Sequence, residues 1–397
     1  MLQKNNTILK SGFVLGFASL ASWMPIYNLW LDKKGMSGFE IGYLSAIPWV
    51  VVLIMQPFVG VLADKWGKLL LLKVFLTLSS IVFLLVPFLS VNVAMTGLSI
   101  LVLSIVNTPI LPLIDSIALD EVEINEELNY SQFRFWGAPG YAMGAIITGN
   151  LLSLWGSNTF FYTSSVFLVL GLIGFLNFTP GVTATARKDI SFSGIGNILS
   201  RGPLVIFFLI IVIVSTGQSA INFFLTVYLD QIGSTSRNTG IALGVQALSE
   251  LPFYFVAAWM LKRMDASRPL LIAIIFTAMR LFLYSINSNP FMVIFIEILN
   301  GLTWTILWIA SVEFVNKRVP SGWRTTGQSL LWASYFGAGA VIGSLLSGNL
   351  LDYMNMKMVF AINGVMITVV GIFAAAYFFS AKTEFENKEI KLKLWIK

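Results

Sequence analysis

Charged residues inside long apolar stretches are the part of this sequence best suited to chemistry. Six of them lie within such stretches: Asp115, Arg134, Glu250, Arg280, Glu297 and Glu313. A charge in hydrocarbon is costly, so it usually faces a polar cavity or a partner of opposite sign. We therefore expect these side chains to form buried pairs or to line a cavity. Glu313 lies one helical turn from Lys317, and we expect a surface ion pair between the two.

Asp115 and Arg134 lie near the ends of two neighbouring stretches that an acidic loop joins. One interpretation is a salt bridge that holds two helices together, and the other is a polar pair that faces a cavity. A carboxylate accepts hydrogen bonds and a guanidinium donates several in a fixed plane, which suits the vicinal hydroxyls of a small molecule. Tyr141 follows Arg134 by seven residues, about two helical turns, and so shares its helix face.

Arg280 is the only base deep within an apolar stretch of the second half, so it needs a counter-ion. Glu250 and Glu297 are the two candidates. Burial favours the neutral form of a carboxyl group and a nearby arginine favours the charged form, so protonation can switch such a pair. We expect these three residues to couple protons to a conformational change. The alternative is a static pair between helices.

The composition predicts the elements that carry these residues. Of 397 residues, 57% are hydrophobic and 11% are charged, whereas a soluble domain is about 25% charged. The mean hydropathy is +0.82. A membrane-spanning helix takes about 20 apolar residues, and twelve stretches qualify: 9–30, 39–62, 69–89, 92–118, 133–155, 158–178, 204–229, 238–261, 269–287, 290–315, 325–350 and 355–380. We predict an all-α integral membrane protein with twelve transmembrane helices.

Missing residue types exclude several kinds of chemistry. The chain has no cysteine and no histidine, which excludes thiol chemistry, metal sites built on these residues and histidine bases. There is no phosphate-binding loop of the G-x-x-x-x-G-K-[ST] type, which argues against ATP-driven work. We expect no cofactor and no metal. A membrane-embedded enzyme would need a set of nucleophilic or metal-binding residues, and none converges here.

The distribution of basic residues predicts the orientation. Nineteen Lys and Arg residues fall in the loops and termini on one side of the predicted spans, and four fall on the other side, namely Lys33, Lys34, Arg237 and Lys357. Cytoplasmic loops carry the excess of positive charge, so both termini are expected in the cytoplasm. The net charge of +6 then reflects this asymmetry, and no nucleic-acid partner is expected. We expect a monomer in a plasma membrane of bacterial type.

Internal similarity divides the chain into two halves. Gly140, Gly144 and the pair Gly149-Asn150 recur 199 residues later, and Leu31-Asp32 recurs 198 residues later. A polar linker lies between the sixth and seventh stretches. We predict an N-terminal six-helix bundle over 1–180, a cytoplasmic linker over 181–203, a C-terminal six-helix bundle over 204–380 and a cytoplasmic tail over 381–397. Such duplication is typical of secondary transporters, which bind their solute between the halves.

The loop after the second stretch resembles a signature of the major facilitator superfamily, found between its second and third helices. The matching residues are Gly60, Asp64, Lys65, Gly67 and Lys68. Gly60 permits a close approach of helices, Asp64 can cap or pair near a helix end, and the lysines anchor the cytoplasmic side. The resemblance implies that these residues form a conformational gate, and that the two bundles adopt the major facilitator fold.

A narrower resemblance covers both halves. The segment 108–116, followed by Tyr130, Arg134, Trp136, Gly137 and Gly140, is similar to the branch that holds the lactose permease and the phenylpropionate permease. The similarity continues with Glu250, with Arg280 and with 297–301. It implies that Asp115 and Arg134 bind hydroxyl groups and that Tyr141 stacks on a ring. Gln218 and Asn300 fall where a cavity face is expected, and we include both as candidate solute contacts.

The resemblance implies a proton-coupled importer of a small hydroxylated solute, such as a sugar or a nucleoside. Its partners are that solute, protons and the lipid bilayer. Relatives often carry histidine at the position of Asn300 and the lactose permease has a carboxylate at that of Thr303, so proton coupling must use Asp115, Glu250 or Glu297. One alternative is a permease for an aromatic carboxylate. Another is a drug/proton antiporter, although the segment 137–140 does not match the antiporter motif.

Overall fold

The computed structural model describes residues 2–125, 128–179, 202–319 and 323–395. Within these ranges the chain is helical, without strands. Eleven of its helices are long and apolar enough to cross a membrane. The helix Gly137–Trp155 adds a twelfth span; it packs between the helices Leu2–Trp23 and Ser236–Arg263 and therefore needs less apolar surface of its own. The predicted linker lies outside the described residues, as do the side chains of the predicted tail.

The spans are numbered here in chain order. They are span 1 (Leu2–Trp23 and Tyr27–Lys33), span 2 (Gly38–Trp66), span 3 (Lys68–Leu89), span 4 (Val93–Asn107 and Ile110–Ile124), span 5 (Tyr130–Arg134 and Gly137–Trp155), span 6 (Thr159–Leu176), span 7 (Gly202–Gln231), span 8 (Ser236–Arg263), span 9 (Ser267–Ile286), span 10 (Pro290–Glu297, Gly301–Thr305 and Ile306–Arg318), span 11 (Arg324–Trp332, Ala333–Gly339 and Ala340–Leu351) and span 12 (Met356–Trp395). The twelve predicted spans are confirmed.

Five spans are interrupted near their middle or close to one end. Span 1 turns at Met24, Pro25 and Ile26, because proline supplies no amide hydrogen to continue the helix. Spans 10 and 11 each contain a π-helical segment, Gly301–Thr305 and Ala333–Gly339. π-Helical turns are rare and occur frequently at functional sites. The interruptions in spans 10 and 11 therefore mark these segments as candidates for a binding region.

The two bundles meet through small residues at one end of the molecule, which we call the closed end. At this end, the start of span 2 packs against the last turns of span 11, and the last turns of span 5 pack against the start of span 8. A Cβ atom on Gly42 would lie 2.6 Å from the carbonyl oxygen of Ser344, and one on Gly149 would lie 2.6 Å from that of Ser236. Glycine is needed at these two positions because the helix backbones touch.

Polar contacts between the bundles add to the closed end. The Asp352 carboxylate accepts hydrogen bonds from the backbone N–H groups of Gly38 at 2.5 Å and Phe39 at 2.9 Å. It thereby caps the first turn of span 2, where the helix dipole favours a negative charge. Lys33 pairs with Asp230 at 2.9 Å on the surface. These contacts hold the bundles together at this end.

The opposite end, which we call the open end, carries the predicted gate motif. Lys68 pairs with Asp120 at 2.6 Å, which links span 3 to span 4. Gly67 has a φ of +89° and ends span 2, a conformation that glycine adopts without strain. The Asp64 side chain lies outside the described residues, and Lys65 is exposed.

The described residues show no close approach at Gly60, where one was expected. A Cβ atom on Gly60 would meet no atom of these residues within 4 Å. The physical reason is that span 2 is apart from the second bundle at this end, while it touches span 11 at the closed end. The expected ion pair between Glu313 and Lys317 is present at 3.0 Å, near the same end of span 10.

A loop in the second half occupies the position that corresponds to the gate motif. Arg318 at the end of span 10 binds Asp265 at 3.0 Å, and Ser267 donates to the same carboxylate. Burial would raise the pKa of Asp265, but these hydrogen bonds lower it to about 2. The carboxylate therefore stays charged at physiological pH and joins the loop between spans 8 and 9 to span 10.

Candidate solute-binding site

A cavity of about 950 Å³ lies between the two bundles, lined by residues from both. Its lining residues Phe135, Tyr254, Phe255 and Trp332 are exposed on the side away from the closed end. The cavity is therefore open toward the end that carries the predicted gate motif. Its polar wall is formed by spans 4, 5, 8 and 10, through Asp115, Tyr130, Arg134, Tyr141, Gln246, Glu250 and Asn300.

Asp115 and Arg134 both lie on this wall, but they do not pair with each other. The Tyr130 hydroxyl donates to Asp115 Oδ1 at 2.7 Å, and the Arg134 guanidinium lies 4.3 Å from the centroid of the Phe17 ring. Among the described residues, no carboxylate is within ion-pair distance of Arg134. The salt-bridge interpretation is therefore wrong for this structure, and the guanidinium keeps its donors for a ligand.

Glu250 faces the cavity from span 8. Its Oε1 accepts a hydrogen bond from Asn300 Nδ2 at 3.1 Å, and its charge attracts the guanidinium groups of Arg134 and Arg280. Asn300 also presents Oδ1 to Arg280 Nη1 at 2.9 Å. Asn300 thus lies on the cavity wall and at the same time joins Glu250 to the buried arginine.

Arg280 is fully buried, and its counter-ion is Glu297. Nη2 of Arg280 lies 2.5 Å from Glu297 Oε2, and Nε donates to the Tyr284 hydroxyl at 3.1 Å. Tyr284 donates to the other oxygen of Glu297, and Thr303 accepts from Arg280 Nη1 at 3.1 Å. The two candidates left open by the sequence are thereby separated: Glu297 pairs with Arg280 behind the wall, and Glu250 faces the cavity.

Tyr141 and Gln218 occupy different layers. Tyr141 lines the cavity on the same span as Arg134, and the charge of the Glu250 carboxylate acts on the Tyr141 hydroxyl. Gln218 on span 7 is 1% exposed and does not line the cavity; its Oε1 accepts from the Tyr335 hydroxyl at 2.8 Å. In this conformation Gln218 therefore does not reach a ligand in the cavity. It binds the hydroxyl of Tyr335, which does line the cavity.

Aromatic residues form a second wall of the cavity, which the sequence patterns did not predict. Trp304 and Tyr335 lie on the two π-helical segments with ring centroids 5.1 Å apart. Phe336 stacks on Trp49 of the first bundle at 5.9 Å, and Trp49 also contacts Phe223 at 5.3 Å. All five line the cavity. The available signal was the three-to-four-residue spacing of aromatics beside glycines in spans 10 and 11.

Residues 6–362 match the family model described as the MFS_1 like family, where MFS stands for the major facilitator superfamily. This match spans most of the chain. The chain belongs to the major facilitator superfamily. The fold predicted from the signature near Gly60 is thereby confirmed, as is the assignment to transporters as opposed to enzymes.

Two relatives of this chain are a permease and a transporter by name. The chain is 24% identical to the maltose permease of Geobacillus stearothermophilus over 371 residues, which cover 92% of each chain. It is 21% identical to a protein named Probable 3-phenylpropionic acid transporter from Escherichia coli, over 89% of this chain and 93% of that one. The predicted similarity to the phenylpropionate permease branch is confirmed.

A solved structure shows the same fold. The nucleoside transporter NupG superposes with a TM-score of 0.84 at 19% identity, over 94% of this chain and 98% of that chain. At this identity the likeness concerns the fold alone. As a member of the major facilitator superfamily, this chain is a membrane transporter of small solutes.

Proposed function

We propose that this protein imports a small, neutral, hydroxylated solute, a sugar or a nucleoside, by proton symport. The observation that carries the proposal is the cavity of about 950 Å³ between the bundles, which is lined by Asp115, Arg134 and Glu250 together with aromatic rings. Carboxylates and a guanidinium bind hydroxyl groups, while aromatic faces pack against the apolar faces of sugar rings and bases. One solute with both kinds of surface satisfies both walls.

The charges on the wall favour a neutral solute over an aromatic carboxylate. Two acids, Asp115 and Glu250, line the cavity with one arginine, Arg134. The second arginine, Arg280, is already neutralised by Glu297. An anionic solute would therefore enter a cavity whose fixed charges do not sum to a positive value, and like charges in a site of low dielectric repel.

The closed end is proposed to face the outside and the open end the cytoplasm. The basis is the excess of Lys and Arg at the open end, where Lys65, Lys68, Lys262 and Arg263 lie. In this orientation the solute leaves toward the cytoplasm from the conformation described. Import then requires the bundles to rock about the central site, so that they separate at the closed end and come together at the open end.

Proton coupling is assigned to Glu250, Arg280 and Glu297. Glu250 takes up a proton from the cavity, because Glu250 lines the cavity and Glu297 does not. Asn300 donates a hydrogen bond to Glu250 and accepts one from Arg280, so the charge of Glu250 acts on Arg280 through Asn300 as well as by direct attraction. The Arg280 guanidinium thereby links protonation of Glu250 to the Arg280–Glu297 pair.

The test is uptake by right-side-out membrane vesicles of labelled maltose, uridine and 3-phenylpropionate, with and without an inwardly directed proton gradient. We expect accumulation of maltose or uridine against a gradient only when the pH gradient is imposed. Accumulation that persists when an ionophore collapses the pH gradient would refute symport. Uptake of 3-phenylpropionate alone would refute the neutral solute.

A further inference from the structure

The break in span 1 places three polar-tipped side chains in the cavity wall. Trp23 ends the first helical segment, and Tyr27 and Asn28 begin the second. All three line the cavity, and they are 4%, 3% and 2% exposed, respectively. Between them, Pro25 interrupts the helix, and its carbonyl oxygen accepts a hydrogen bond from Thr226 of the second bundle at 2.5 Å. The break therefore lies where the two bundles meet.

A polar atom of each of these side chains has no hydrogen-bond partner among the described residues. They are Nε1 of Trp23, the hydroxyl of Tyr27 and Nδ2 of Asn28. Buried polar groups in native proteins are nearly always paired, because an unmade hydrogen bond leaves the desolvation of the group uncompensated. Trp30, one turn further, follows that rule: its Nε1 donates to Asn158 Oδ1 at 2.8 Å. Three unpaired groups at one break therefore call for a partner.

The surrounding contacts hold these groups in place. Asn28 Oδ1 accepts from Ser45 Oγ at 2.5 Å, which orients the amide and leaves Nδ2 free. The Trp23 ring packs edge-on against Tyr27 at 6.1 Å and against Phe83 at 5.8 Å. Rings held in this way cannot turn their polar atoms toward another protein acceptor without repacking. The unpaired groups are thus oriented before a ligand arrives.

We propose that the break in span 1 is a solute subsite that binds an oxygen acceptor of the solute, either a hydroxyl or a carbonyl oxygen. All three groups can donate a hydrogen bond and none carries a charge, which suits an uncharged oxygen. This inference rests on the proposed function and adds a contact on span 1 to those on spans 4, 5, 8 and 10. It makes Trp23, Tyr27 and Asn28 specificity-determining residues.

Solute binding at this subsite also requires movement. Each unpaired atom has less than 1 Å² of accessible surface in the structure described, although its residue lines the cavity. The solute therefore reaches the donors only as the wall around the break adjusts. Because Thr226 ties Pro25 to span 7, that adjustment involves the contact between the bundles. Binding of the solute and rearrangement of the closed end are linked at this position.

Tyr27→Phe removes the unpaired hydroxyl and little else, so stability and affinity should respond differently. Without solute, the midpoint of thermal unfolding of the purified variant should equal or exceed that of the wild type, because no hydrogen bond is lost. The Kd for maltose or uridine, whichever the wild type accumulates, should rise roughly 2- to 10-fold, the effect of one neutral hydrogen bond. Trp23→Phe should also raise this Kd.

The chain offers matched controls outside the cavity. The Tyr228 hydroxyl exchanges hydrogen bonds with Asn287 at 3.1 Å, so Tyr228→Phe should lower the unfolding midpoint and leave the Kd unchanged. Trp30→Phe loses the same ring volume as Trp23→Phe and should likewise leave the Kd unchanged. A lower midpoint for Tyr27→Phe, comparable to that of Tyr228→Phe, would show a structural partner and overturn the subsite.

The same experiment separates this inference from the proposed function. If the wild type accumulates maltose or uridine and both Tyr27→Phe and Trp23→Phe keep its Kd, the subsite is refuted and the proposed function stands. If the wild type accumulates neither solute, the proposed function is refuted, and the proposed subsite for a neutral solute is refuted together with it.

Discussion

Removal of Arg280 should identify its functional partner through the second mutation that compensates for it. Arg280→Ala leaves the Glu297 carboxylate buried and without its counter-ion, and removes the donor that Asn300 and Thr303 share. Glu297→Gln in the same chain removes the charge that was left behind. Glu250→Gln does not, because Glu250 forms no direct ion pair with Arg280 and is joined to it by a hydrogen-bond bridge through Asn300.

The size of the effect follows from the burial of the pair, since both side chains are 0% exposed. Breaking a buried ion pair by removing one partner costs roughly 3–5 kcal/mol. At roughly 2 °C per kcal/mol, the unfolding midpoint of Arg280→Ala should fall by about 6–10 °C. Coupling between residues in contact is about 0.5–3 kcal/mol, so Glu297→Gln should restore roughly 1–6 °C of that loss.

The assay is thermal unfolding in detergent, followed by tryptophan fluorescence, together with vesicle uptake. The Arg280→Ala variant should lose accumulation against a gradient and retain downhill flux, because the fixed positive charge beside the titrating acids is gone. A larger recovery of stability with Glu250→Gln than with Glu297→Gln would refute the assignment of the pair. Normal accumulation by Arg280→Ala across an imposed pH gradient would refute its part in coupling.

Three further predictions concern the cavity and the closed end. Asp115→Asn should reduce uptake at least 10-fold with normal membrane insertion, and full-rate uptake would remove Asp115 from the site. Glu250→Gln should keep solute exchange and lose uphill accumulation, whereas the matched surface variant Glu313→Gln should keep both. Asp352→Ala removes a helix cap worth about 0.5–2 kcal/mol, so opening of the closed end should become roughly 2- to 30-fold more frequent. The chain has no cysteine, so a single cysteine introduced at the cavity residue Asn222 can be labelled selectively by an impermeant maleimide added from outside. More frequent opening should increase the labelling rate. An unchanged rate in Asp352→Ala would contradict the role of Asp352.

The sequence alone determined the spans and the kind of residues that function requires. Stretches of about 20 apolar residues predict membrane helices because the bilayer accepts little else, and this rule needs no tertiary information. Repeats at an offset of 198 to 199 residues indicate two related halves, and they too can be read from the sequence without tertiary information. The need of Arg280 for a carboxylate likewise follows from its position in an apolar stretch.

Only the tertiary structure decided which side chains meet. Partner choice depends on how each helix is rotated about its axis, and contacts between spans distant in the chain set that rotation. It separates Glu297, which pairs with Arg280, from Glu250, which faces the cavity. It places Tyr130 on Asp115, and it puts Gln218 behind Tyr335. Such contacts leave no periodic pattern in the sequence, because each depends on two helices whose packing the local sequence does not encode.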